Sequence, residues 1–236
     1  MASIYLIRHG QASFGEANYD RLSPLGCRQA EALGEYFERR DIRFDAVYTG
    51  GLERQRKTAE LALGKWHPAH THRVDERFNE IDNEGQLKAI TPVLLEQNPE
   101  LQAWADAARS SSKDYQKLLE RVFNHWVESG DNPMAGLQSW PAYRDGVRAA
   151  LTQVTQEQGP GTRAAIFTSG GTIATIVAEV LGVPGNGVYQ FYEPVINCSV
   201  TELLYNPRKM SVSYFNDHSF LDLIGRQSGE ALISYR

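Results

Sequence analysis

The sequence predicts an α/β protein in which a mainly parallel sheet is buried between helical layers and carries an inserted helical cap. Three observations carry that expectation. Short runs such as Ile4-Tyr5-Leu6-Ile7 and Ala164-Ala165-Ile166-Phe167 lack polar alternation, as strands covered on both faces do. Three predicted strands break into small residues before a helical pattern begins, at His9-Gly10, Thr49-Gly50-Gly51 and Ser169-Gly170-Gly171. Between two of those strands, residues 86–130 form one long amphipathic helical block.

Composition sets outer bounds. The 236 residues carry a net charge of -5, with 42% hydrophobic and 22% charged residues, which is ordinary for a soluble globular chain with a large core. The charge balance argues against a nucleic-acid partner, and no apolar run approaches the ~20 residues of a membrane span. Without a basic and then apolar leader, and with Cys27 and Cys198 at no metal or redox spacing, the expectation is a cytoplasmic protein with free thiols.

Taken in order, the strand at 4–7 ends in Arg8-His9-Gly10 and a polar loop follows from Gln11 to Leu22. Ser23-Pro24 reads as an N-cap and first-turn proline of a helix reaching about Arg40. Phe44–Tyr48 is a second strand, and Arg54 falls in the first turn of the helix that continues from Gln55 to Gly64. His67, His70 and His72 have no carboxylate or cysteine at ligand spacing, so no metal is expected. Val74 closes a third strand, and an acidic connection runs from Asp75 to Asp82. The helical block, broken near Ser110-Ser111-Ser112, is expected to form a cap of about 86–132 over a site at the strand ends, where it would exclude water. A helix from Tyr143 to Gln158, a strand at Ala164–Thr168, an apolar helix from Thr172 to Leu181, and strands at Val195–Tyr205 and Met210–Phe215 complete the chain. The tail from Gly225 is expected to be mobile.

Ligands of open α/β sheets collect outside the carboxyl ends of the strands, where Arg8, His9, Arg54 and Ser169 fall. An imidazole beside fixed guanidinium charge suits attack on an anionic phosphoryl group. The segments Leu6-Ile7-Arg8-His9-Gly10, Leu22-Ser23-Pro24-Leu25-Gly26 with Gln29-Ala30, and Leu52-Glu53-Arg54 with Thr58-Ala59 resemble the histidine phosphatase superfamily, the phosphoglycerate mutase-like group. The resemblance runs from Ile4 to about Phe220. It implies a three-layer α/β/α sandwich, a single domain over 1–236, no cofactor and a small phosphorylated substrate. Carried over by position, His9 is the nucleophile, Arg8 and Arg54 clamp the phosphoryl oxygens, and Glu80 in Arg77-Phe78-Asn79-Glu80 is the general acid. Asn18 and Ser23 match phosphate-contacting positions, although Ser23 reads equally well as a cap.

One departure stands in the heart of the expected site. Relatives open the last strand-to-helix turn with His-Gly-Gly, and this chain has Ser169-Gly170-Gly171. Ser169, with the N–H groups of Gly170 and Gly171, is expected to bind phosphate. His218 is a candidate for the missing imidazole, and Ser169→His is expected to raise turnover if the pocket has room. The leading expectation is a phosphomonoester hydrolase working through phosphohistidine, with low turnover because Ser169 replaces the usual second histidine. The alternatives are an impaired phosphate-binding or protein-interaction relative and a phosphomutase. A serine hydrolase using Ser169 is disfavoured, because Phe167 stands where the nucleophile-elbow pattern needs glycine.

Overall fold

The computed structural model describes residues 1–13, 19–64, 66–108, 110–131 and 136–235. Its elements in chain order are β1 (Ala2–Arg8), α1 (Pro24–Arg39), β2 (Ala46–Thr49), α2 (Glu53–Leu63), β3 (Arg73–Val74), α3 (Asn83–Gln97), α4 (Gln102–Ala107), α5 (Ser112–Glu128), α6 (Trp140–Glu157), β4 (Arg163–Thr168), α7 (Gly170–Leu181), α8 (Tyr189–Tyr192), β5 (Val200–Asn206), β6 (Lys209–Asp217) and α9 (Ser219–Ser228). Among the described residues no helix is long and apolar enough to cross a membrane.

The sheet has the order β3-β2-β4-β1-β5-β6. β1 pairs parallel with β4, from Ser3 opposite Arg163 to Arg8 opposite Thr168, and β2 pairs parallel with both β4 and β3. β5 lies antiparallel to β1, and β6 antiparallel to β5. Of the described strands, β5 is therefore the one that runs against the rest, and the α/β class with a mainly parallel sheet is the observed one.

The period-two geometry of β1 explains the layers. Ile4 and Leu6 enter a core shared with Val147 of α6 and Ile173 of α7, whereas Tyr5 and Ile7 face Leu33 and Phe37 of α1, Ala59 of α2 and Leu221 of α9. A strand with an apolar partner on each face has no position left for alternation. Where β1 ends, its loop lies directly on α1. A Cβ on Gly26 would come within 2.1 Å of the Gln11 carbonyl oxygen, and one on Gly10 within 2.4 Å of the Gly26 carbonyl oxygen. Only glycine permits that approach.

Two expectations need correction, and one further helix is found between them. β5 begins at Val200 rather than Val195, because the loop before it serves the end of β1: Cys198 N–H donates to the Arg8 carbonyl at 3.1 Å and Asn197 Nδ2 to the His9 carbonyl at 3.1 Å. Residues 219–228 form α9, whose Phe220 stacks on Tyr36 of α1 at 4.5 Å. The tail beyond it is tied down. Gln29 Nε2 donates to the Leu232 carbonyl at 2.8 Å and to Ser234 Oγ at 2.9 Å, Asn197 N–H donates to the Ser234 carbonyl at 3.0 Å, and Leu232 is 2% exposed.

Candidate active site

The carboxyl edge of β1 and β2 opens into a cleft of about 560 Å³ whose walls include Arg8, His9, Arg54, Asn79, Glu80 and Tyr192. His9 is 4% exposed and fixed in one orientation. Its Nδ1 lies 2.7 Å from the Gly10 carbonyl oxygen, which accepts but cannot donate, so Nδ1 carries the proton and Nε2 the lone pair. Arg54 Nε donates to that Nε2 at 3.1 Å. Burial first, then the charges of Arg54 and Arg8, hold the imidazole well below its ordinary value of 6.5, so the ring is neutral.

Arg54 reaches His9 because α2 starts immediately beyond the end of β2. Thr58, one turn further along α2, accepts the Gly10 N–H at 3.0 Å and donates to the Arg54 carbonyl at 2.7 Å, tying the helix to the β1 loop. Sequence reading missed the partner of this arginine. Asp20 Oδ1 lies 2.7 Å from Arg54 Nη1, while its Oδ2 accepts the Glu53 N–H at 2.7 Å and so caps α2 across 33 residues of chain. Nothing local marks such a long-range cap. The nearest signal was an aspartate in a polar loop.

Arg8 projects from the last position of β1. Its Nη1 donates to the Val195 carbonyl and to the Tyr235 carbonyl, the latter at 2.9 Å, while its Nε is buried with no hydrogen-bond partner. Burial lowers this guanidinium from its ordinary value, and Glu80 opposes that shift. A positively charged, unpaired N–H next to a nucleophilic nitrogen is chemically suited to an oxyanion.

Glu80 Oε1 accepts two backbone N–H groups at 3.0 Å each, from Ile81 and from Gly171 in the first turn of α7. Burial raises this carboxyl above its ordinary 4.5, against the charges of Arg54 and Arg8. The acceptor at the start of α7 is thus the protein's own Glu80 carboxyl group.

The other candidate residues are not in the cleft wall. Ser169 is fully buried, and its Oγ accepts from Gln55 Nε2 at 2.8 Å; that amide also donates to the Phe78 carbonyl at 3.0 Å. Gly170 lies under the Tyr192 ring, where a Cβ would come within 3.0 Å of it and 3.6 Å of Arg8 Nε. Ser23 caps α1, accepting the Gly26 N–H at 3.0 Å and donating to Gln11 Oε1 at 2.8 Å. His218 sits at the start of α9 with Nδ1 2.7 Å from the Asn216 carbonyl oxygen, and it does not border the cleft. Asn18 lies outside the described residues.

These contacts revise the expectation for Ser169. Ser169 is fully buried with the Gln55 amide on its hydroxyl, so a larger ring at this position would meet the Gln55 side chain. Ser169→His alone is expected to destabilise the protein by overpacking, about 1–3 kcal/mol, without raising turnover. Combined with Gln55→Ala it is expected to fold and to gain turnover. Urea midpoints and kcat/KM of both variants check this, and a gain from the single substitution would refute the steric account.

Comparison with known proteins gives the family. A model of the histidine phosphatase superfamily (branch 1) matches residues 4–123 and 103–218. Phosphoglycerate mutase 1 of Saccharomyces cerevisiae is 33% identical over 102 residues, 39% of this chain and 41% of that enzyme, so the match spans less than half of that relative. The 2,3-bisphosphoglycerate-dependent phosphoglycerate mutase of Rhizobium etli is 25% identical over 201 residues, 79% of this chain and 82% of the relative. The crystal structure of phosphoserine phosphatase from Entamoeba histolytica in complex with 3-phosphoglyceric acid is similar in fold, with a TM-score of 0.65 at 17% identity over 94% of this chain and 100% of that one. With the family model matching from residue 4 to residue 218, this chain belongs to the histidine phosphatase superfamily.

Proposed function

We propose that this protein is a cytoplasmic phosphohydrolase that cleaves phosphomonoesters through a phosphohistidine at His9. The observation that carries the reading is the His9 ring, neutral, oriented by Gly10 and presenting Nε2 to the Arg54 guanidinium with the Arg8 charge nearby. In the first step Nε2 attacks phosphorus as the bond to the leaving oxygen breaks. Arg54 Nε, released from Nε2, and Arg8 Nε then hold the equatorial oxygens, which stabilises the transferring group without covalent help. Glu80 protonates the leaving oxygen. Because its Oε1 is engaged by two N–H groups, the proton resides on Oε2. In the second step water attacks the phosphohistidine, Glu80 takes its proton, and phosphate departs. The helices α3 and α5 supply Leu87, Tyr115, Gln116 and Leu119 to the cleft and act as a cap over the reacting group.

A rapid-quench experiment tests this reading. The phosphoenzyme should be stable to base, labile to acid and mapped to His9, with turnover unaffected by a chelator. Label on a hydroxyl residue, or none at all, would overturn it. A second reading, a phosphate-binding relative with impaired chemistry, draws support from the Ser169 hydroxyl being directed to Gln55. It predicts phosphate binding without any phosphoenzyme.

Glu80→Gln is expected to slow esters of poorly acidic alcohols by about 10²–10⁴-fold and activated aryl esters far less, since protonation matters only for a basic leaving group. The pH dependence follows from the two shifts. The reactive form needs His9 unprotonated, which holds down to a pH well below 6.5, and Glu80 protonated, which extends above its ordinary 4.5. Activity on esters of poorly acidic alcohols should therefore fall as pH rises through the Glu80 value, which lies above 4.5, and that falling limb should vanish for Glu80→Gln. A falling limb that persists would remove Glu80 from the role.

A further inference from the structure

The cleft is far larger than a phosphate group, and the part beyond the two arginines differs from them in character. Among the described residues that line it, Arg8 and Arg54 are the cationic side chains, and the charges of both act on His9. Arg54 is already paired with Asp20 at 2.7 Å. A phosphomonoester dianion would engage both arginines, so the described lining offers no further cation to a second anionic group.

The remaining wall carries the opposite charge. Asp82, Glu84 and Glu193 border the cleft. The first caps α3 by accepting the Gly85 N–H at 2.9 Å, and the second lies in the first turn of that helix. Tyr115, Tyr189 and Tyr192 also line the cleft and add aromatic, largely apolar side chains to its wall. Asn83 adds an acceptor: its Nδ2 donates to the Tyr192 hydroxyl at 2.5 Å, while its Oδ1 is buried with no hydrogen-bond partner. An unpaired buried acceptor in a negatively charged, aromatic wall favours a ligand group that donates hydrogen bonds or carries positive charge.

We propose that the cleft selects phosphomonoesters whose alcohol part is an organic group with an apolar face, uncharged or cationic, and discriminates against those bearing a second anionic group. This rests on the phosphohydrolase reading and names its substrate class. It separates this protein from an enzyme specialised for phosphorylated carboxylic acids, for which a third cation would be needed near the arginines. Discrimination by repulsion is as effective as added attraction when both esters share the same phosphate contacts.

The test uses three aryl phosphates of similar size and leaving-group acidity that differ in one terminal charge: tyramine O-phosphate (cationic), para-ethylphenyl phosphate (neutral) and the phosphate ester of para-hydroxyphenylpropanoate (anionic). In competition assays the cationic and neutral esters are expected to exceed the anionic one in kcat/KM by on the order of tenfold or more, a spread that added salt compresses. The triple variant Asp82→Asn/Glu84→Gln/Glu193→Gln should shrink the ratio; asparagine keeps the α3 cap. Equal handling of the three esters, a preference for the anionic one, or an unchanged ratio in the triple variant would overturn the proposal while leaving the phosphohydrolase reading intact. Absence of His9-dependent turnover on all three would instead defeat that reading. Calorimetric binding of the same three esters to the His9→Ala protein then decides the charge preference by itself. The same measurement with O-phosphoethanolamine, cationic but without an apolar face, should give weaker binding than tyramine O-phosphate; equal affinity would refute the role of the tyrosines.

Discussion

Replacing His9 with alanine is expected to abolish the phosphoenzyme and lower turnover by on the order of 10⁴–10⁶-fold, because no other described side chain of the cleft presents a nucleophilic nitrogen to Arg54. The variant should still bind inorganic phosphate or vanadate, since both guanidiniums remain. It should also lose part of its acid sensitivity in folding. A histidine whose folded value lies well below 6.5 favours proton uptake by the unfolded chain. The stability it permits is therefore fully present above about 6.5 and lost as pH falls toward the folded value. Urea unfolding at pH 7.5 and 5 (about two and a half units apart) reads that difference in wild type and variant. Retention of more than about a hundredth of the wild-type rate would remove His9 from the mechanism.

Arg54→Ala carries the second large effect, on the order of 10³–10⁵ in kcat/KM, the range seen when a guanidinium that stabilises a transferring phosphoryl group is lost. Two consequences compound the loss of the clamp. Asp20 would lose its Arg54 side-chain partner at 2.7 Å and keep its negative charge near the incoming phosphate. His9 would also lose one of the charges that hold it neutral, so the acidic limb of the pH profile should move upward. Lysine should not rescue the variant, because its single ammonium cannot serve His9 Nε2 through Nε and Asp20 through Nη1 together. Restoration by Arg54→Lys to within tenfold of wild type would show that the fork geometry is unimportant.

The sequence made legible those features that local chemistry determines. β1 could be recognised because it is covered on both faces, and α1 because Ser23-Pro24 supplies its cap and first turn. Arg8, His9, Arg54 and Glu80 could be placed because each follows a strand or stands in a recognisable segment. What could not be read depends on partners far apart in the chain. The pairing of Gln55 with Ser169 spans 114 residues, and it changes how a serine at that turn is understood. The anchoring of the tail depends on Gln29, which lies 203 residues before Leu232. α9 carries an apolar pattern in Phe220, Leu221 and Ile224, but its last turn runs past Gly225, where the polar residues suggested a tail.

The position of β1 in the sheet bears on how the chain is made. Its two neighbours, β4 and β5, begin at Arg163 and Val200, so the Ile4–Ile7 edge leaves the ribosome about 150 residues before a native partner exists. At a synthesis rate of roughly 5–20 residues per second, that strand waits about 10 s or longer with both edges unpaired, and long-range closure of this kind is slow to begin with. The residues that make the strongest core strand are thus the ones most exposed to mispairing during translation. A chain released before β4 would hold β2 and β3 but leave the nucleophile on a strand with nothing beside it.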